Sequence, residues 1–177
     1  LWESFPMEIY VDTPIGAVNV NKWDDGKAAE GVQKKSMNVL SSRGCSYQCT
    51  FCYHDFMGTR YRFRNADNIV DEIALLKEKY GVEYIHFIDD CFILNKKNVL
   101  RFCDLMIERD MRVTWGCAGR VNMMTEELIL KMKDAGCVFI GYGIESGSQR
   151  ILKNIKKNTN VERAKAAVRL TQKHLGW

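Results

Sequence analysis

The stretch Cys45-Ser46-Tyr47-Gln48-Cys49-Thr50-Phe51-Cys52 decides how this chain is read. Three thiols stand in a C-x3-C-x2-C spacing within eight residues. They follow a short apolar run, Met37-Asn38-Val39-Leu40, and a turn, Ser41-Ser42-Arg43-Gly44. Thiolates this close on one loop can face a single metal centre without help from distant chain. Soft sulfur ligands select zinc, copper(I) or iron–sulfur clusters. A structural site is normally closed by four ligands, whereas a reactive one keeps a position open, so a set of three is informative.

Outward from the loop, strand and helix signals alternate. Met37–Leu40 reads as a first strand. Asp67 is an expected N-cap for a helix over 68–79, with Ile69, Ile73 and Leu76 on one face and Gly81 at its end. Tyr84–Ile88 reads as a second strand, ending at Asp89-Asp90. Asn95 caps a helix to about Arg109, whose apolar face includes Cys103. Arg112–Trp115 reads as a third strand, and Thr125 caps a helix that Gly136 ends. Cys137–Tyr142 reads as a fourth strand. A turn at Gly147-Ser148 opens a short helix to about Ile155, and a last helix runs over Val161–Leu175 with Val161, Ala164, Val168 and Leu175 on one side. Repeated strand–helix units imply parallel strands with right-handed crossovers. The expected fold is α/β, a partial barrel of parallel βα units, either open with an apolar edge or closed by a second chain. In such sheets function sits in the loops beyond the strands' carboxyl ends. Here those loops carry the cysteines, Asp89 and Asp90, Arg120, and Glu145 and Ser146.

Residues 1–36 read as a connector or appendage, with Ile9-Tyr10-Val11 as a short strand and Asp24-Asp25-Gly26 as a turn. Residues 37–177 form the main domain. The chain begins with Leu1 rather than Met, which reads as a piece of a longer protein. A hydrophobic fraction of 46% is enough for a core, and no run approaches the ~20 apolar residues of a membrane span. The net charge of +4 is too small to argue for or against a nucleic-acid partner. Seven cysteines, an odd number without secreted-domain spacing, read as reduced thiols in a cytoplasmic protein.

The cysteine spacing, followed by Phe87-Ile88-Asp89-Asp90 and Gly143-Ile144-Glu145-Ser146-Gly147, resembles the radical S-adenosylmethionine (radical SAM) superfamily. It is similar to the members that often carry an upstream cobalamin-binding domain. The resemblance covers about Met37 to Gly176, about four of the roughly six βα units usual in the family. It implies that Cys45, Cys49 and Cys52 ligate a [4Fe-4S] cluster whose open iron chelates S-adenosylmethionine. One electron then cleaves the sulfonium to methionine and a 5′-deoxyadenosyl radical. It further implies methyl or methylthio transfer in the full-length protein, possible cobalamin use, and an electron donor such as flavodoxin or ferredoxin.

The supporting residues carry open alternatives. Phe51 and Tyr53 stand where the family contacts adenine, or are ordinary loop aromatics. Asp89 and Asp90 stand where most members hold the substrate's ammonium with a Gly-Gly-Glu motif, or else cap a helix. Glu145 and Ser146 would meet ribose hydroxyls or the amino group. Arg120 would pair the methionine carboxylate, or form a surface salt bridge. Arg43, Arg60, Arg62 and Arg64 would offset cluster charge, dock an acidic donor, or simply be solvated. His54 is a candidate fourth ligand, as Cys91 is for zinc. The reading from a different class is a structural zinc or electron-transfer module without catalysis. Cys91, Cys103, Cys117 and Cys137 are expected to be core or rim thiols.

Overall fold

The computed structural model describes residues 6–12, 35–53 and 60–176. His54 and the Asp24-Asp25-Gly26 turn lie outside them. A four-stranded parallel sheet runs in the order β1 (Ser36–Val39), β4 (Tyr84–Phe87), β5 (Thr114–Gly119), β6 (Cys137–Tyr142). Helices α2 (Ala66–Tyr80), α3 (Lys96–Glu108) and α4 (Glu126–Asp134) connect these strands, and α5 (Gln149–Asn154) and α6 (Val161–Leu175) follow β6. The registers are regular, Ser36 opposite Tyr84 and Tyr84 opposite Thr114, until a bulge at Trp115/Gly116 in the β5–β6 pair. This is the expected partial barrel, with β1 and β6 as the edges of the described sheet.

Four aromatic rings fill the centre. Trp115, Phe87 and Phe102 are at most 1% exposed, Phe92 lies beside them, and ring centroids are 4.4–5.7 Å apart. Edge and offset contacts of this kind add to the burial itself. The Trp115 indole N–H donates to the Ala135 carbonyl at 2.8 Å, so the largest buried ring leaves no polar atom unmet.

Several elements differ from the sequence reading, each for a local reason. Residues Ile9–Val11 belong to a helix, α1 (Met7–Asp12), not a strand. Met7 and Val11 are buried four apart while Ile9 is 63% exposed, which is a helical spacing rather than an alternating one. The α2 N-cap is Asn65, whose side chain accepts from Asn68 N at 2.8 Å, and Asp67 sits in the first turn instead. The third strand starts later and runs further than Arg112–Trp115. Asp110 and Arg112 have left-handed backbones (φ 46° and 49°), and pairing begins at Thr114. Its last four residues, Gly116-Cys117-Ala118-Gly119, lack strand propensity, but the packing requires small residues. A Cβ on Gly116 would lie 2.5 Å from Tyr84 Oη. On α6 the buried face is Ala164, Ala167 and Thr171, with Val161, Val168 and Leu175 only half-buried at its margin. The caps Asn95 and Thr125 and the left-handed Gly81 stand as expected, and Asn160 and the left-handed Gly176 bound α6 in the same way.

Candidate functional site

The cysteine loop springs from the carboxyl end of β1. Its base is tied by a two-stranded antiparallel ladder, β2 (Ser42–Arg43) against β3 (Arg62–Phe63). Arg64 reinforces the tie. Its backbone N–H donates to Ser41, and its guanidinium reaches the Leu40 carbonyl, Asn68 and Glu72. Arg64 therefore fastens the loop to α2 instead of facing the thiols as an offsetting charge. Arg43, Arg60 and Arg62 are exposed.

Asp89, after β4, is 4% exposed and turned onto the same base. Its Oδ1 accepts from the Ser41 hydroxyl at 2.9 Å and from the Ser42 hydroxyl, and Oδ2 accepts from Ser41 N at 3.3 Å. Burial raises its pKa above 3.8, against the pull of those donors. The carboxylate thus buttresses the loop. It neither caps a helix nor stands open to an ammonium group. Asp90, next to it, is exposed.

Within the loop Cys49 is buried, Cys45 half-buried and Cys52 exposed. Cys52 N donates to Cys49 O, and Thr50 N donates to Ile155 O beyond α5, each at 3.1 Å. Desolvation raises the Cys52 thiol above 9.0. The nearby Cys49 adds to the rise, the Lys157 ammonium opposes it, and Cys45 adds again. Both other thiols of the loop thus act electrostatically on Cys52. Among the described residues no group of three His, Cys, Asp or Glu side chains is arranged around a single metal ion. A cubane instead gives each thiolate its own iron, and an all-thiol donor set suits it. Three thiols on one loop are the kind of donor set that a cluster uses.

The other thiols are elsewhere. Cys91, Cys103, Cys117 and Cys137 are at most 2% exposed and belong to the hydrophobic core. Burial pushes Cys91 and Cys103 to about 12, which keeps both neutral and inert.

Arg120 follows β5 and is 9% exposed, so it is no surface salt bridge. Its guanidinium carbon lies 3.7 Å from the Tyr47 ring centroid. Nη1 is 3.5 Å from Cys49 Sγ, and Nη2 donates to the Lys157 carbonyl. Two of its five N–H donors are thus engaged, and Nε is buried without a partner.

Lys157 is the residue the sequence reading missed. It is 6% exposed, donates to Glu145 Oε1 at 2.8 Å, and sits 5.3 Å from the Phe51 ring centroid. Left-handed Lys156 and Asn158 (φ 52° and 54°) flank it in the turn between α5 and α6. No periodic signal marks such a position, and lysine is rarely buried. Glu145 itself is left-handed (φ 68°), a conformation costing about 1–2 kcal/mol that sites often carry. Gly143 makes room for the pair: a Cβ there would lie 2.6 Å from Glu145 Oε1 and 3.0 Å from Lys157 Nζ. Ser146 Oγ accepts from Ser148 N at 3.0 Å and shapes the turn into α5. Phe51 and Tyr53 are 50% and 77% exposed.

Loop, strand ends and the α5–α6 turn thus meet at one rim. The sequence signature of the Radical SAM superfamily matches residues 39–176. The chain belongs to the radical SAM superfamily. It is 34% identical over 136 residues to an uncharacterised methyltransferase of Pyrococcus horikoshii, covering 76% of this chain and 30% of that protein. It is 35% identical over 133 residues to the anaerobic magnesium-protoporphyrin IX monomethyl ester cyclase of Cereibacter sphaeroides, covering 73% and 22%. Among solved structures, the radical SAM methyltransferase TsrM of Kitasatospora setae, with cobalamin and a [4Fe-4S] cluster bound, shares the fold. The TM-score is 0.72 at 22% identity, covering 80% of this chain and 29% of that one. This radical SAM chain spans at most 30% of the length of these relatives. Among its described residues no helix is long and apolar enough to cross a membrane.

Proposed function

We propose that Cys45, Cys49 and Cys52 hold a [4Fe-4S] cluster with one iron left for S-adenosylmethionine, and that the chain is part of the catalytic core of an enzyme that cleaves this nucleotide reductively. One observation carries the reading: three thiols within eight residues, on one tied loop, at the carboxyl end of a parallel sheet. When bound, the cluster supplies the electron that splits the sulfonium into methionine and a 5′-deoxyadenosyl radical.

The chain's own residues do the holding. The Asp89 carboxylate fixes the loop base through Ser41 and Ser42. The Lys157 ammonium favours negative charge at Cys52 and pairs with Glu145. Glu145, 35% exposed at its side chain, and Ser146 would accept from or donate to the nucleotide's hydroxyls and ammonium. Phe51 and Tyr53 offer exposed flat faces on which adenine would stack, and Asp90 is a second exposed carboxylate at the rim. In the full-length protein the reaction would be methyl or methylthio transfer, with cobalamin as a further cofactor and flavodoxin or ferredoxin as electron donor. The methyltransferase relative and the cobalamin-bound neighbour support that extension.

Anaerobic reconstitution of the full-length protein with iron and sulfide tests the reading. It should turn brown, take up about four irons for this loop, and change its cluster spectrum when S-adenosylmethionine is added. One tightly held zinc, with no colour, would overturn it.

A further inference from the structure

A single short segment, Arg120–Asn122, grips the cysteine loop from the β5 side. The Arg120 guanidinium carbon lies over the ring of Tyr47, the aromatic between the first two cysteines, and Asn122 Nδ2 donates to the Tyr47 hydroxyl at 3.1 Å. The same guanidinium reaches the sulfur of Cys49 through Nη1 and the Lys157 carbonyl through Nη2, while Nε is buried without a partner.

A buried cation needs a compensating charge. Among the described residues Arg120 forms no ion pair with a carboxylate; the group its Nη1 touches is a thiol. A ligating cysteine is deprotonated, so metal loading would create the missing anion at Cys49 Sγ. A charge-assisted N–H···S contact would then replace a neutral one.

We propose that Arg120 is a positioning residue for the cluster: it orients Cys49 through its contact with Tyr47, and its charge raises the cluster's reduction potential. The proposal rests on Cys45, Cys49 and Cys52 being the cluster ligands. Reduction adds negative charge, and a guanidinium hydrogen-bonded to a ligating sulfur favours the reduced form. Hydrogen bonds to cluster sulfurs are an established lever on potential.

The test uses the full-length protein, wild type beside Arg120→Gln and Arg120→Lys, reconstituted anaerobically and titrated with reductant while the reduced cluster is followed by electron paramagnetic resonance. Arg120→Gln should keep its iron and lose at least tenfold in the reduction equilibrium, about 59 mV for one electron. Arg120→Lys should recover most of that shift, because the charge remains. An unchanged potential in Arg120→Gln at wild-type iron content overturns the proposal and leaves the ligand assignment standing. A wild type that takes up no iron overturns both. If both variants lose iron together with their circular dichroism, Arg120 is a residue of the fold alone and the proposal falls.

Discussion

Around Trp115, four aromatic rings pack 4.4–5.7 Å apart and the indole N–H is donated to Ala135. At the rim of the same sheet, Arg120 Nε and Asn122 Oδ1 are buried with no partner, Lys157 is 6% exposed, and Glu145 holds a left-handed backbone. The ring cluster leaves no polar atom unmet, although Tyr84 Oη elsewhere in the sheet is also buried without a partner. The rim keeps polar capacity and strain unspent, which folded chains tolerate mainly where function requires it. The two regions should therefore fail separately.

The sharpest break is at the loop. Cys49→Ala should remove essentially all iron from the reconstituted protein while its circular dichroism and thermal midpoint stay near wild type, since none of the four packed rings depends on it. Global unfolding of that variant would erase the separation. The reverse case is Trp115→Ala, expected to cost about 3–5 kcal/mol in chemical denaturation by leaving a cavity among Phe87, Phe92 and Phe102.

Asp89 joins the two regions and should show an intermediate effect. Asp89→Ala strands the Ser41 and Ser42 hydroxyls, for about 1–3 kcal/mol, and should loosen the cysteine loop enough to lower iron uptake. The pH dependence has a definite sign. Burial raises the native pKa above the unfolded value near 3.8, so the neutral form favours folding. The contribution is complete below 3.8 and is lost as pH rises through the native value. Subtracting the stability–pH curve of Asp89→Asn from that of wild type should reveal this fall.

The smallest effect is expected far from both regions. Glu126, at the start of α4, meets Lys173 at 2.8 Å and His174 at 2.7 Å from the end of α6. The Lys173 hydrogen bond, then that of His174, holds its pKa below 4.5. Its stabilisation is present above 4.5 and is lost as pH falls through the lower native value. Glu126→Gln should lower the thermal midpoint slightly, and the difference should vanish at high salt because the pair is exposed.

The helices were largely legible because local signals specify them. Asn95, Thr125 and Asn160 cap where short polar side chains precede apolar periodicity, and Gly81 and Gly176 end helices where a left-handed residue is needed. The third strand was not, because Gly116-Cys117-Ala118-Gly119 is chosen by the close approach of Tyr84 and Ile93 rather than by propensity. At the site, the thiol trio announced itself through spacing within eight residues. Its supports did not. Asp89 turned out to anchor the loop, Arg64 to tie it to α2, and Lys157 to arrive from a turn more than a hundred residues away in sequence.

By itself the sequence determined which residues could be ligands, where most helices begin and end, and that parallel strands lie between them. These are set by neighbours within a few positions, so a linear pattern records them. The tertiary structure alone decided where each charged side chain points: Arg120 onto Tyr47 and Cys49, Asp89 onto two serines, Lys157 onto Glu145. Such partners are separated by 12 to 73 positions, and only the packing of βα units brings them within hydrogen-bond range.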